Sequence, residues 1–400
     1  MSHEVEKKFI LDIINYSLFD SDFDLVSYSN LDYSYIYSKL KEQKLENIAY
    51  YGLVKCKDNS ILFNKLQQLY YKHLVNITNQ DIEYNKIVSL FDNTNIDYVP
   101  LKGISVKKLY PYEDMRLMGD IDILIRNNQR TNVRKLLTQN SYILDKSSIK
   151  GGHHEIFDIN QYGHFEIHYK LFDDKTQTNN FFDKNVWNET NSHKMSSEFN
   201  LCYQLAHYYK HFYHGGASLK SLIDITLLLE KESIIYDKLK MFLLETNYYY
   251  FYCNVVSIIN HIFNKNYYLF ENTLNEDEIK EIIDYIFVCG DFGFGQENDS
   301  HKNELVNDLG NKKVNFFTKL GYIIKKVCIP YSVFKDMSKL IKYVPILLPF
   351  GWIVRFFRYL FKHDKKEIKQ RLVDINNVSK EDVDNAKTIH KFLNIDQERN

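Results

Sequence analysis

The spacing of apolar residues changes twice along this chain, and those changes limit what it can fold into. Over the first 95 residues apolar side chains recur at three- and four-residue steps, as in Phe9, Ile13 and Ile14 and again in Ile61, Leu66, Leu69 and Tyr70. That is the spacing of one face of an α-helix. From Ile96 the pattern shortens. Tyr98-Val99-Pro100-Leu101 is a β-like run closed by Lys102-Gly103, and a helical stretch follows from about Ile104 to Tyr110. Ile121 to Ile125, introduced by Gly119, is a second strand, and Asn127 to Asn140 reads as a helix. Ser141 to Asp145, His154 to Ile159 and His164 to Leu171 are three further strands, the last two joined by a hairpin turn over Asn160–Gly163. After a polar loop the helical spacing returns in Leu201, Leu205, Tyr208, Tyr209 and Phe212, is broken at Gly215-Gly216, and resumes over Leu219 to Leu229.

The expected fold is therefore α+β, a small mixed-sheet core flanked by helical regions. The expected divisions are 1–95 (helical), 96–172 (the α/β core), 173–300 (a helical domain walling a cleft) and 301–400 (a helical extension with a polar tail). Five prolines and 14 glycines in 400 residues suit long helices better than many tight turns.

Composition excludes more than it identifies. With 51 basic against 52 acidic residues, nothing in the overall charge points to a nucleic-acid or acidic-membrane partner. Cys56, Cys202, Cys253, Cys289 and Cys328 stand at no zinc-ligand or redox spacing and read as reduced cytosolic thiols. The N-terminus lacks an apolar signal core, and no apolar run reaches the roughly 18 residues needed to cross a bilayer, so the expected location is cytoplasmic. The 32 tyrosines and 27 phenylalanines accompany many Asn, Lys and Ile, a compositional bias rather than a sign of base stacking. Around Trp352, Phe356 and Phe357, with Arg355 and Arg358, an interfacial helix and a core-packed helix look alike; the prolines favour packing.

The chemistry concentrates in Asp120-Ile121-Asp122. Residues two apart on a strand share a face, so the carboxylates lie side by side while Ile121, Ile123 and Ile125 point into a core. Two adjacent carboxylates repel unless a positive charge joins them. Magnesium, or manganese in its place, suits one or two carboxylates plus phosphate oxygens. Glu166 is the candidate third carboxylate, and alternation puts His168 on its face. It completes a triad if its strand pairs beside Asp120 to Ile125. Upstream, Lys102-Gly103 stands at a strand-to-helix junction where backbone amides favour phosphate, with Ser105 one residue beyond Ile104. Arg116 is placed to neutralise phosphate or to pair with Glu113.

Weaker candidates follow. His207 and His211 share a helix face beside Lys210, without the His-Glu-x-x-His pattern of zinc proteases, and suit acceptor binding. Asp224 is placed either to orient one of them or to pair with Lys220. His153 and His154 are adjacent, and strict strand alternation would let only one reach the site.

The string Leu101-Lys-Gly, Leu109-Tyr-Pro111, Arg116 and Gly119-Asp-Ile-Asp-Ile-Leu-Ile125 resembles the uncharacterised bacterial nucleotidyltransferase family of the DNA-polymerase-β-like nucleotidyltransferase superfamily. The resemblance continues in Phe165-Glu-Ile-His168, Leu205-Ala-His207, Lys210-His211, Leu222-Ile-Asp224, Gly290–Gly295 and Tyr343–Arg355. It implies Asp120, Asp122 and Glu166 as catalytic metal carboxylates, with Lys102, Gly103 and Arg116 near a triphosphate. Gly103 is followed by Ile104, where the wider superfamily often has serine, which puts the role of Ser105 in doubt. The expected activity is magnesium-dependent transfer of a nucleoside monophosphate from an NTP, ATP by default, to an acceptor hydroxyl with loss of pyrophosphate. Two alternatives stand beside it: a toxin- or defence-type enzyme that nucleotidylates a protein or RNA, and a non-catalytic nucleotide-binding or interaction protein.

Overall fold

The structure is a computed structural model. It describes residues 3–146, 148–150, 152–159, 163–172, 177–213, 216–291, 315–331, 334, 338–362, 373 and 378–395. Four helices come first: α1 (Glu4–Phe19), α2 (Tyr33–Glu42), α3 (Glu46–Lys55) and α4 (Ile61–Asn93). At 33 residues α4 is about 50 Å long. That length lets one helix serve two cores. Leu62 and Leu66 pack in the helical body, while Ile87 and Phe91 pack under the sheet. Its start is fixed by Ser60, whose Oγ accepts from Phe63 N at 3.2 Å.

The α/β core then runs β1 (Tyr98–Pro100), α5 (Lys102–Val106), β2 (Ile121–Ile125), α6 (Arg130–Gln139), β3 (Ile143–Leu144), β4 (His154–Ile159) and β5 (Gly163–His168). The expected strands are all present, with β3 trimmed to two residues and β5 ending at His168. The sheet order is β1-β2-β5-β4-β3. Three of the four pairings are antiparallel; β2 and β5 alone run parallel. Their register sets Asp122 opposite Glu166 and Leu124 opposite His168. One sheet face, carrying Ile121, Ile123, Ile125, Phe157 and Phe165, packs on α4 and α6 through Ile87, Phe91, Val133 and Leu137. The other face turns its carboxylates toward the helical body. The turn expected at 160–162 lies outside the described residues.

Beyond α7 (Gln177–Asn185) and a short hairpin, β6 (Thr190–Asn191) with β7 (Lys194–Met195), come α8 (Ser197–Tyr213), α9 (Leu219–Lys231), α10 (Tyr236–Glu245), α11 (Tyr249–Phe263) and α12 (Glu276–Cys289). These helices join α1–α3 in one apolar core. The abundant aromatics are used there: Tyr203, Tyr208, Tyr252, Phe199, Phe212 and Phe251 are among the largest fully buried side chains. Residues 292–295 of the Gly-rich motif lie outside the described residues. Farther on, α13 (Phe316–Val327) packs on α15 (Leu348–Lys362), with the short α14 (Lys339–Tyr343) between them. Trp352 Nε1 donates to Ile329 O at 2.9 Å, as packing predicts, but Ile346, Phe350, Ile353 and Val354 of the same segment are exposed. The last described helix is α16 (Lys380–Phe392). Among the described residues no helix is long and apolar enough to cross a membrane.

Candidate active site

A cavity of about 400 Å³ lies between the carboxylate face of the sheet and helices α8 and α9. Its floor is β2 and β5. Asp122 is almost wholly buried, and its Oδ1 accepts from two donors: Lys102 Nζ at 2.5 Å and His168 Nε2 at 2.7 Å. Glu166 Oε2 lies 3.3 Å from the same His168 nitrogen and 4.0 Å from Lys102 Nζ. One ligand atom from each of Asp122, Glu166 and His168 falls within 4.8 Å of the other two. The groups that join the two carboxylates are thus an ammonium and an imidazole. Asp120, just before β2, lines the cavity but stands outside that tight cluster.

These contacts set the protonation states. Burial alone would raise the Asp122 carboxyl, but Lys102 and His168 overcome it and hold the group well below the usual carboxylate range. Burial would lower His168, yet its hydrogen bonds to Asp122 and Glu166 outweigh it and raise the ring above the ordinary imidazole range. Asp120 is shifted the other way: burial and then the neighbouring Asp122 raise it, with Lys102 opposing.

Backbone geometry brings Lys102 to this place. Leu101 N donates to Asp122 O at 3.0 Å, extending the β1–β2 ladder to the edge of the site. Lys102 then turns into α5 with φ of +49°, the left-handed region that costs a non-glycine residue on the order of 1 kcal/mol. At Gly103, a Cβ would sit 3.0 Å from Met118 Cγ, so the glycine allows close approach of the loop that carries Arg116 to Asp120. That loop is pinned from the N-terminal helices. Asn47 Nδ2 donates to Asp114 O at 2.6 Å, Tyr51 and Tyr70 donate to the Asp114 carboxylate, and Gln80 Nε2 donates to Gly119 O at 3.3 Å.

Several expected residues take other partners. Arg116 lines the cavity but does not pair with Glu113. Its Nε and Nη2 donate to the two Asp224 oxygens at 2.8 and 2.7 Å, and Tyr110 Oη donates to Asp224 Oδ1 at 2.7 Å. Asp224 therefore neither orients a histidine nor pairs with Lys220, whose Nζ lies 2.5 Å from Asp291 instead. The reason is reach: α9 passes directly over the 110–116 loop. Glu113 is taken by Lys107 at 3.4 Å. Ser105 turns away from the cavity and donates to Lys102 O at 2.7 Å. His153 and His154 both approach His168, with ring centroids 5.2 and 5.1 Å away. The alternation argument fails for His153 because β4 begins at His154, and Gly152, at φ +40°, turns the chain just before it.

The opposite wall is α8, where His207, Lys210 and His211 line the cavity as expected. Burial, then the nearby Lys102, pushes His207 well below the ordinary imidazole range; burial brings His211 down to about 4. Both are neutral at pH 7, and the buried His207 Nδ1 has no hydrogen-bond partner. Lys44 lines the cavity without any sequence signal, whereas the sequence points to Lys220 only as an alternative partner of Asp224 and to Asp291 only within the Gly290–Gly295 motif. Lys44 comes from the turn between α2 and α3 and points at Gly119; a Cβ there would lie 4.0 Å from its Nζ. Burial, then Lys220, brings the Lys44 ammonium down to about 8. No motif marks it, because its place depends on the packing of α2 and α3 against the 110–120 loop.

Comparison with curated proteins and with solved structures returned no match. The match to a family of uncharacterised nucleotidyltransferases runs over residues 29–264, taking in Lys44, Lys102, Asp120, Asp122, Glu166 and α8. With well over half of its length inside that match, the chain belongs to this nucleotidyltransferase family.

Proposed function

We propose that the cavity transfers a nucleoside monophosphate from an NTP, with ATP as the default donor, to a hydroxyl of an acceptor. The observation that carries the reading is the parallel β2–β5 register, which puts Asp122 and Glu166 side by side under a cavity otherwise rich in cations. Asp122, Glu166 and Asp120 are hard oxygen donors of the kind magnesium takes, and the charge now lodged against Asp122 is a lysine on a flexible stem. The donor set therefore fits a divalent ion that exchanges with the Lys102 ammonium. When bound, such an ion supplies charge neutralisation for the triphosphate and lowers the pKa of the acceptor hydroxyl.

The chain's own groups do the rest. Lys102, once released from Asp122, is within a side chain's reach of incoming phosphate. Lys44 holds a desolvated cation that an anionic ligand would stabilise. His168, with Nε2 held between both carboxylates, fixes their orientation. Neutral His207, across the cavity, is in the protonation state of a hydrogen-bond acceptor for the attacking hydroxyl. Arg116 serves this site by holding the loop before Asp120 against α9.

The test is direct. Purified protein with each labelled NTP, magnesium and a pool of metabolites and RNA should release pyrophosphate and label an acceptor. Asp122→Asn should lower transfer at least a thousandfold while far-UV circular dichroism stays native. Full activity in that variant would overturn the assignment.

A further inference from the structure

We propose that His153, His154 and His168 form a binding site for a borderline transition-metal ion of the zinc class, next to the carboxylate cluster and distinct from it in ligand chemistry. One ring nitrogen from each histidine lies within 4.8 Å of the others. His154 Nδ1 and His153 Nε2 are 3.4 Å apart. Two nitrogens bound tetrahedrally to one ion at 2.0–2.1 Å stand roughly 3.3 Å apart, so this pair is already spaced as ligands are.

Two of the three remaining ring nitrogens face carboxylates. His168 gives Nε2 to Asp122 at 2.7 Å, which leaves Nδ1, buried and without a hydrogen-bond partner. His154 Nε2 faces Glu166 Oε1 at 3.7 Å, which leaves Nδ1 on the side of His153. A metal-bound imidazole characteristically passes its second nitrogen to a carboxylate, which fixes the tautomer and the ring. Two of the three histidines here are backed in that way. Their backbone is rigid too, because His154 and His168 are cross-strand partners in the β4–β5 ladder. His153 comes from the turn after Gly152 and is half-buried, which leaves a route for an ion.

Ligand type decides the class of ion. Three imidazoles suit zinc, cobalt or nickel, whereas magnesium keeps to carboxylate and phosphate oxygen. The site does not depend on the transfer reaction, and it is tested without nucleotide. Metal-stripped full-length protein is titrated with Co²⁺ and followed by visible absorption, then with Zn²⁺ by calorimetry. One equivalent of Co²⁺ should give the intense absorption of a four-coordinate site, displaced by Zn²⁺ and unaffected by excess Mg²⁺. His153→Ala and His154→Ala should each weaken Zn²⁺ at least tenfold. His164→Ala, an exposed histidine of β5 paired with Asp158, should not. A pale octahedral Co²⁺ spectrum, competition by Mg²⁺, or unchanged Zn²⁺ affinity in folded His153→Ala and His154→Ala would overturn the proposal. If those variants fail to fold, the wild-type Co²⁺ spectrum decides it alone.

Discussion

Replacing Asp224 by alanine should destabilise the chain more than almost any other single change at the cavity. Arg116 and Asp224 retain 7% and 4% of their exposure, and the pair is bidentate at 2.8 and 2.7 Å. Removing one member of such a buried pair leaves an uncompensated charge, at a cost of about 3–5 kcal/mol. Tyr110 Oη also loses its acceptor, which costs a further ~1 kcal/mol or more. A total of about 4–6 kcal/mol is a large share of the 5–15 kcal/mol that holds a typical domain together. Asp224→Asn keeps an oxygen for the guanidinium and the phenol but removes the charge, so about half the loss is expected. The assay is equilibrium urea unfolding with the midpoint and slope fitted separately. The double variant Arg116→Met with Asp224→Leu should recover most of the loss, because apolar replacement of a whole buried pair is often neutral. If Asp224→Ala costs less than about 1 kcal/mol, or the double variant is no better than the single one, the pair is not the strut described.

Two further outcomes follow from the charges. With Lys44 down to about 8, its ammonium is present at pH 7 and lost as pH rises through about 8, so NTP affinity should weaken over pH 7–9. Lys44→Arg should flatten that profile in a fluorescence-based binding titration, and a flat wild-type profile would remove Lys44 from phosphate binding. Glu155, buried in β4, accepts from Arg130 Nε at 2.5 Å and Arg134 Nε at 3.0 Å. Burial opposes ionisation there, but Arg134 and Arg130 win and its pKa is lowered. Its contribution is therefore present above the ordinary carboxylate pKa and lost as pH falls below about 4.3. Glu155→Gln should be about 2–3 kcal/mol less stable than wild type at pH 7; equal urea midpoints at pH 7 would count against the clamp.

What the sequence determined was local. Period-two alternation located the strands and put Asp122 on the face opposite Ile121, Ile123 and Ile125, because side-chain direction in an extended chain follows from backbone geometry alone. The same rule put His168 with Glu166. Apolar spacing of three and four located the helices, and α8 carried His207, Lys210 and His211 on one side for the same reason. The limit of such reasoning showed at His153, where the chain is not yet a strand and alternation does not apply.

Tertiary structure decided which charges meet. Glu166 stands opposite Asp122 only because β5 pairs parallel beside β2, a register that no local pattern specifies. Asp224 reaches Arg116 across 108 residues, and Lys220 reaches Asp291 across 71. A guanidinium in the cavity wall takes the carboxylate that the packing brings nearest, whatever its place in the chain. Lys44 enters the cavity through the packing of α2 and α3, without any motif of its own. Individual side chains could be read for what they are able to do. Their partners could not, because the cost of burying a charge is met by whichever opposite charge the finished fold places within reach.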